Sequence, residues 1–169
     1  YATGYNSFYQ LGLGDYINRT VPTLIQSSIF NNATISAISA GYTQSLFLTS
    51  AGEVYSTGVN SNGQLGLGDY INTTVPTLIP PSTFNNAIVA ISAGYYHSLF
   101  LTSVGAVYST GYNEQGALGL GDTSFRLVPT LIPSSGFNNA TIVAISAGYI
   151  HSLFLTSAGT VYAAGGNGY

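Results

Sequence analysis

Few side chains in this sequence could move a proton, hold a metal or attack a substrate. There are two histidines, His97 and His151, five carboxylates and no cysteine. A metal site or catalytic dyad needs such groups to converge. His97 and His151 instead recur at one repeat position, occupied by Gln44 in the first repeat. The expected role of all three is a hydrogen bond to backbone between strands, because buried polar groups are nearly always paired. Asp15, Asp69 and Asp122 also recur, each after Gly-Leu-Gly. That context predicts an Asx turn. One carboxylate per repeat cannot fill the roughly six to eight oxygen positions of calcium. Glu53 and Glu114 do not share a repeat position, so no acid–base pair is indicated. No Gly-x-Ser-x-Gly elbow is present, and the glycine pairs lack the strand-to-helix setting of a phosphate loop. Catalytic, metal and cofactor residues are therefore read as none, and the chain as no enzyme.

The elements that position these residues repeat three times. Leu11-Gly12-Leu13-Gly14-Asp15 returns at Leu65 and at Leu118, which are 54 and 53 residues further on. Ile38-Ser39-Ala40-Gly41-Tyr42 returns at Ile91 and Ile145, and Ser45-Leu46-Phe47-Leu48-Thr49 at Ser98 and Ser152. Such a period marks a propeller, a solenoid or an array, whose unit buries its apolar face only against a neighbour. Residues 1–54, 55–107 and 108–161 are the three repeats, and 162–169 starts a fourth.

Within a unit, Val54 to Thr57 reads as a strand ended by Gly58, and Asn60-Ser61-Asn62-Gly63 is turn chemistry. The Pro in Val75-Pro76-Thr77-Leu78-Ile79 predicts an edge strand. Ile88 to Gly94 reads as a small-residue strand buried on both faces near a crowded axis. Ser98 to Thr102 is the next strand, and Gly105 closes a hairpin that needs a positive φ. No helical periodicity occurs. The expected fold is all-β: propeller-type blades of four antiparallel strands, about three repeats of 53–54 residues, forming an incomplete ring or part of a larger array. Both ends fall inside the repeat, which predicts a piece of a longer array.

Composition excludes some partners. Charged residues make up 4% of the chain, against about 25% in an ordinary soluble domain. Lysine is absent, and Arg19 and Arg126 are the only cations besides histidine and the amino terminus. Two guanidiniums cannot neutralise a phosphate backbone, so nucleic acid is no expected partner. No run of apolar residues is long enough for a membrane-spanning helix. Four sequons, at Asn18, Asn32, Asn72 and Asn139, fall in expected loops and are candidate N-glycosylation sites. Glycans would solvate a surface this poor in charge. They point to a secreted or cell-surface location.

The run Gly58-Val59-Asn60-Ser61-Asn62-Gly63-Gln64-Leu65-Gly66-Leu67-Gly68-Asp69, with Ser92-Ala93-Gly94-Tyr95-Tyr96-His97-Ser98-Leu99, resembles the regulator of chromosome condensation repeat family. The resemblance covers essentially the whole chain and implies seven-bladed propellers. It also implies a possible exchange of guanine nucleotide on a small GTPase, an activity that uses charged loops this chain lacks. Another member of the family inhibits β-lactamases through loop aromatics, which implies that the fold can act as a binding surface.

The leading expectation is a non-catalytic structural or interaction module of an extracellular glycoprotein. It would associate with itself, even as a filament, or with further repeats of a longer chain. The alternative is a regulator or inhibitor that grips another protein with its loops. Asn113, Glu114, Gln115, Phe125 and Arg126 depart most from the other repeats and are the candidate partner loop. Tyr42, Tyr95 and Tyr149 are expected to pack between blades with hydroxyls at the rim.

Overall fold

A computed structural model describes residues 1–168. Tyr169, the last residue of the expected fourth-repeat fragment, lies outside the described residues. Thirteen strands form four antiparallel sheets among these residues. The complete sheets are β3 (Ile35–Ala40), β4 (Gln44–Thr49), β5 (Val54–Gly58) and β6 (Thr73–Leu78), then β7 (Ile88–Ala93), β8 (His97–Thr102), β9 (Val107–Gly111) and β10 (Arg126–Leu131). A two-stranded sheet, β1 (Ala2–Gly4) with β2 (Arg19–Thr23), precedes them. A three-stranded sheet follows: β11 (Ile142–Ala147), β12 (His151–Thr156) and β13 (Val161–Gly165). The ring is not closed. Each complete sheet takes two strands from either side of the boundaries at 54/55 and 107/108, so one sheet joins two successive sequence repeats.

Local chemistry accounts for the strand order. β6 and β10 carry Pro76 and Pro129 and lie at sheet edges, where a missing N–H costs no ladder bond. Gly105 has φ +79° in the hairpin, which Thr102 N–H closes onto the Ala106 carbonyl at 2.9 Å. β8 is buried along its whole length, so its apolar residues run continuously rather than alternating. The inner strand departs from expectation. Val89 of β7 is exposed, as are its equivalents Ser36 and Val143. Register shifts between Ile88 and Ala90, so Val89 sits in a bulge on an edge strand.

The core lies between blades. Leu46, Leu48, Val54 and Ile79 of one sheet meet Ile88, Phe100 and Tyr108 of the next. Leu99, Leu101, Val107 and Ile132 then meet Phe137, Ile142 and Phe154. Inner strands are clipped together by serine: Ala93 N–H donates to Ser39 Oγ and Ala147 N–H to Ser92 Oγ, both at 2.9 Å. Gly94 permits this approach, since a Cβ there would lie 2.6 Å from the Gly148 carbonyl oxygen.

Candidate protein-interaction face

Inner turns 41–43, 94–96 and 148–150 share one face with the long connections 5–18, 59–72 and 112–125. The opposite face carries tight turns and short 3-10 connectors. Each long connection is organised from within by a buried asparagine. Asn60 Oδ1 accepts from Leu65 N–H at 2.9 Å, while its Nδ2 donates to the Asp69 carbonyl at 2.8 Å and to Asp69 Oδ1 at 3.0 Å. Asp69 Oδ1 also accepts from Ile71 N–H at 2.8 Å, the geometry of an Asx turn. Asn6 with Asp15, and Asn113 with Asp122, repeat the arrangement.

Arg19 and Arg126 close on Asp15 and Asp122 at 2.5 and 2.6 Å. The guanidinium bond, then the turn N–H, holds both carboxyls below the usual range. Thr73 stands at the matching position of the middle connection. Both guanidiniums are thus engaged, and four of the five carboxylates lie on this face, Glu53 being the exception.

The same face carries a continuous row of aromatic rings. Tyr42 and Tyr95 stack with centroids 3.9 Å apart and planes 11° from parallel, and Tyr95 meets Tyr149 at 4.3 Å. On one side Phe8 reaches Tyr42 at 6.3 Å and Tyr5 at 5.7 Å. On the other, Tyr96 lies 6.0 Å from Tyr149 and 5.8 Å from Tyr112, and Tyr112 lies 5.1 Å from Phe125. The cause is local. Each tyrosine of the central stack follows the glycine that opens an inner hairpin turn. Adjacent turns are joined by Tyr42 N–H to the Gly94 carbonyl at 3.3 Å and by Tyr95 N–H to the Gly148 carbonyl at 3.1 Å. Backbones that close bring the rings into contact. The Tyr95 hydroxyl is held above its usual range, first by its bond with Tyr42 and then by desolvation.

Tyr42 and Tyr149 are therefore surface residues, about half-exposed, and the row lies across the blades rather than buried between them. The glycine-tyrosine pair at a turn was the signal available for this.

Gln44 and His97 occupy equivalent sites with different partners. Gln44 Nε2 donates to the carbonyls of Gly94 at 3.1 Å and His97 at 3.3 Å, an inter-blade backbone bond. His97 instead bonds a side chain, with Nε2 2.9 Å from Ser152 Oγ. That hydroxyl donates to the Ala117 carbonyl at 2.7 Å, so the network assigns the proton to His97 Nε2. Nδ1 has no partner among the described residues. Burial, then the charge of His151, pushes His97 down to about 4. His151 itself is exposed.

The remaining sequence-predicted residues divide by burial. Asn113 is fully buried and holds its loop from inside, offering no contact surface. Glu114 and Gln115 are exposed, and Phe125 and Arg126 are half-buried. Asn18, Asn32, Asn72 and Asn139 are all exposed. Asn18 and Asn72 use Oδ1 to accept from Asn6 and Asn60 N–H, both at 2.8 Å, so that bond does not occupy the amide nitrogen. Sequence reasoning missed Asn6 and took Asn60 only as turn chemistry, although each stands five residues before Leu-Gly-Leu-Gly-Asp.

The sequence model of the regulator of chromosome condensation (RCC1) repeat matches residues 1–48, 51–101 and 104–155. A second model of this repeat matches 35–64, 88–117 and 142–169, beginning where the inner strands begin. The ultraviolet-B receptor UVR8 of Arabidopsis thaliana is 34% identical over 164 residues, covering 97% of this chain and 36% of the receptor. The probable E3 ubiquitin-protein ligase HERC4 of Mus musculus is 39% identical over 150 residues, covering 88% of this chain and 14% of the ligase. The chain thus spans little more than a third of the one relative and less of the other. Among solved structures, yeast RCC1 (Prp20), bound there to Kap60, matches with a TM-score of 0.85 at 26% identity, over 98% of this chain and 40% of that one. Human WBSCR16 matches at 0.81 and 23% identity, over 99% of this chain and 44% of that one, a likeness of fold alone.

Proposed function

We propose a non-catalytic binding role for this chain, which belongs to the regulator of chromosome condensation repeat family: its turn-and-loop face grips a protein partner. The observation that carries the reading is the surface cluster in which Tyr42 stacks on Tyr95 and Tyr149 meets Tyr95 edge-on. Tyrosine is enriched at protein interfaces, where it supplies large contact area at low entropic cost. Phe125 extends the row, Glu114 and Gln115 flank it, and all three differ from their counterparts in the other repeats, which suits selectivity. The capture of yeast RCC1 with Kap60 supports the reading by analogy. The test places a photo-reactive phenylalanine analogue at Tyr95 or, on the opposite face, at Val104. Cross-links to a protein partner from Tyr95 alone are expected. Equal yields from both faces, or none from Tyr95, overturn the reading.

A second reading is association through blade edges, with another copy or with further repeats. Leu153, Leu155 and Val161 are exposed, whereas their equivalents Leu99, Leu101 and Val107 are buried against a neighbour. A cavity of about 410 Å³ beside β3 and β4, lined in part by Ile25, Phe30, Ile38 and Phe47, is of matching character. Contact between two such faces is head-to-tail and either closes or grows. Sedimentation at rising concentration is expected to show oligomers that Leu155→Glu removes; an unchanging monomer contradicts it. The secreted, glycosylated setting rests on the four exposed sequons. Intact mass before and after deglycosylation tests it, and an unmodified mass in the native source removes it.

A further inference from the structure

We propose that the cleft between Tyr96, Tyr112 and Tyr149 is an aromatic cage for a permethylated ammonium group, the head of a trimethylated lysine on the protein partner. The inference rests on the binding role given above.

The cleft has a volume of about 530 Å³, and its walls include these three rings together with Asn62 and Gln115. Ring orientation sets it apart from the Tyr42–Tyr95 pair. Tyr42 and Tyr95 lie 11° from parallel and cover each other's faces. Tyr96 instead meets Tyr112 at 50° and Tyr149 at 57°, with centroids 5.8 and 6.0 Å away. Tyr96 also meets Tyr95 at 71° and Tyr112 meets Phe125 at 55°, so in these contacts neither ring has a face covered by a parallel partner. A cation held within about 6 Å of such faces is attracted by their quadrupoles.

The charges nearby favour a cation and none is supplied from within. Tyr112 Oη donates to Glu114 Oε2 at 2.8 Å, which places a carboxylate at the rim. Lysine is absent from the chain, and Arg19 and Arg126 are bound to Asp15 and Asp122. The cation therefore comes from the partner. A bare ammonium is compact and strongly hydrated, with three N–H donors to satisfy. A trimethylated one has no donor and gives up little hydration on entering a cleft walled by rings.

Isothermal titration of the whole chain with three short peptides tests the cage. They carry trimethyl-lysine, unmodified lysine, or the neutral isostere with carbon in place of the charged nitrogen. The trimethyl-lysine peptide is expected to bind at least about fivefold tighter than either control. Tyr112→Phe keeps the ring and retains this preference. Tyr96→Leu and Tyr112→Leu remove it, while Tyr70→Leu, outside the cleft, leaves it unchanged. Thermal melts confirm that the variants are folded. Equal binding of the neutral isostere, or full binding by the folded Leu variants, overturns the cage. Binding to phosphatidylcholine vesicles but not to the trimethyl-lysine peptide overturns the protein source. If the partner cross-links through Tyr95 yet ignores lysine methylation, the cage fails and the binding face stands.

Discussion

Strands β8 and β12 share the run Ser-Leu-Phe-Leu-Thr and differ in what covers them. Leu99 and Leu101 of β8 are 0% and 4% exposed, whereas Leu153 and Leu155 of β12 are 40% and 37% exposed. Phe100 and Phe154 are buried alike, because both face the preceding blade. Identical residues thus have one face finished in both strands and the other finished in only one. Burial in this fold belongs to a pair of blades, not to the repeat. Stability should follow as a sum of blade and interface contributions.

The strongest way to break this comparison is to truncate matching leucines. Leu101→Ala is expected to cost about 2–5 kcal/mol by cavity formation, while Leu155→Ala costs less than about 1 kcal/mol. Urea denaturation of the two variants measures the difference, and similar losses would mean the blade faces are not coupled.

The histidines sharpen the comparison through pH. His97 is held neutral by burial, with its value lowered to about 4 from 6.5. Unfolded chains bind the proton that folded chains exclude between these values, so stability is full above about pH 6.5 and falls as pH drops towards 4. The loss amounts to roughly 3 kcal/mol at most. Melting temperature against pH should flatten in His97→Gln, which installs the residue found at the equivalent Gln44. His151→Gln removes only the second, smaller cause of the lowering and should reduce the slope far less than His97→Gln does.

A smaller effect separates the turn glycines. In Gly94→Ala the new methyl would meet the Gly148 carbonyl of the next blade at 2.6 Å. A cost of about 1–3 kcal/mol is expected from forcing the backbones apart. In Gly148→Ala the atoms nearest the methyl belong to the exposed His151 ring, which can swing away, so the change stays within about 0.5 kcal/mol. Thermal unfolding of both variants compares them.

Much of the local structure was legible from the residues. Pro76 announces an edge, Gly105 a hairpin with positive φ, and Gly-Leu-Gly-Asp69 an Asx turn, because each depends on a few neighbours in the chain. The four-stranded blade was legible too, but not its phase, since a periodic sequence has no natural starting point. Contacts across blades were the least visible. Nothing near Tyr42 announces that it will stack on Tyr95, and nothing near His97 announces Ser152 as its partner. Those pairs lie 53 and 55 residues apart in the chain and meet only after neighbouring sheets have packed. Asn113 illustrates the converse. It looked variable in its surroundings, yet its own position is the one that repeats as Asn6 and Asn60 and ties the loop together.

Native-state hydrogen exchange on the 169-residue chain compares amides 98–102 with amides 152–156, two stretches of one sequence in one molecule. If a neighbouring blade is what completes each unit, the amides of β8 exchange markedly more slowly than those of β12, by at least about tenfold. Equal exchange in the two strands would show that each unit is stable by itself and would contradict the account.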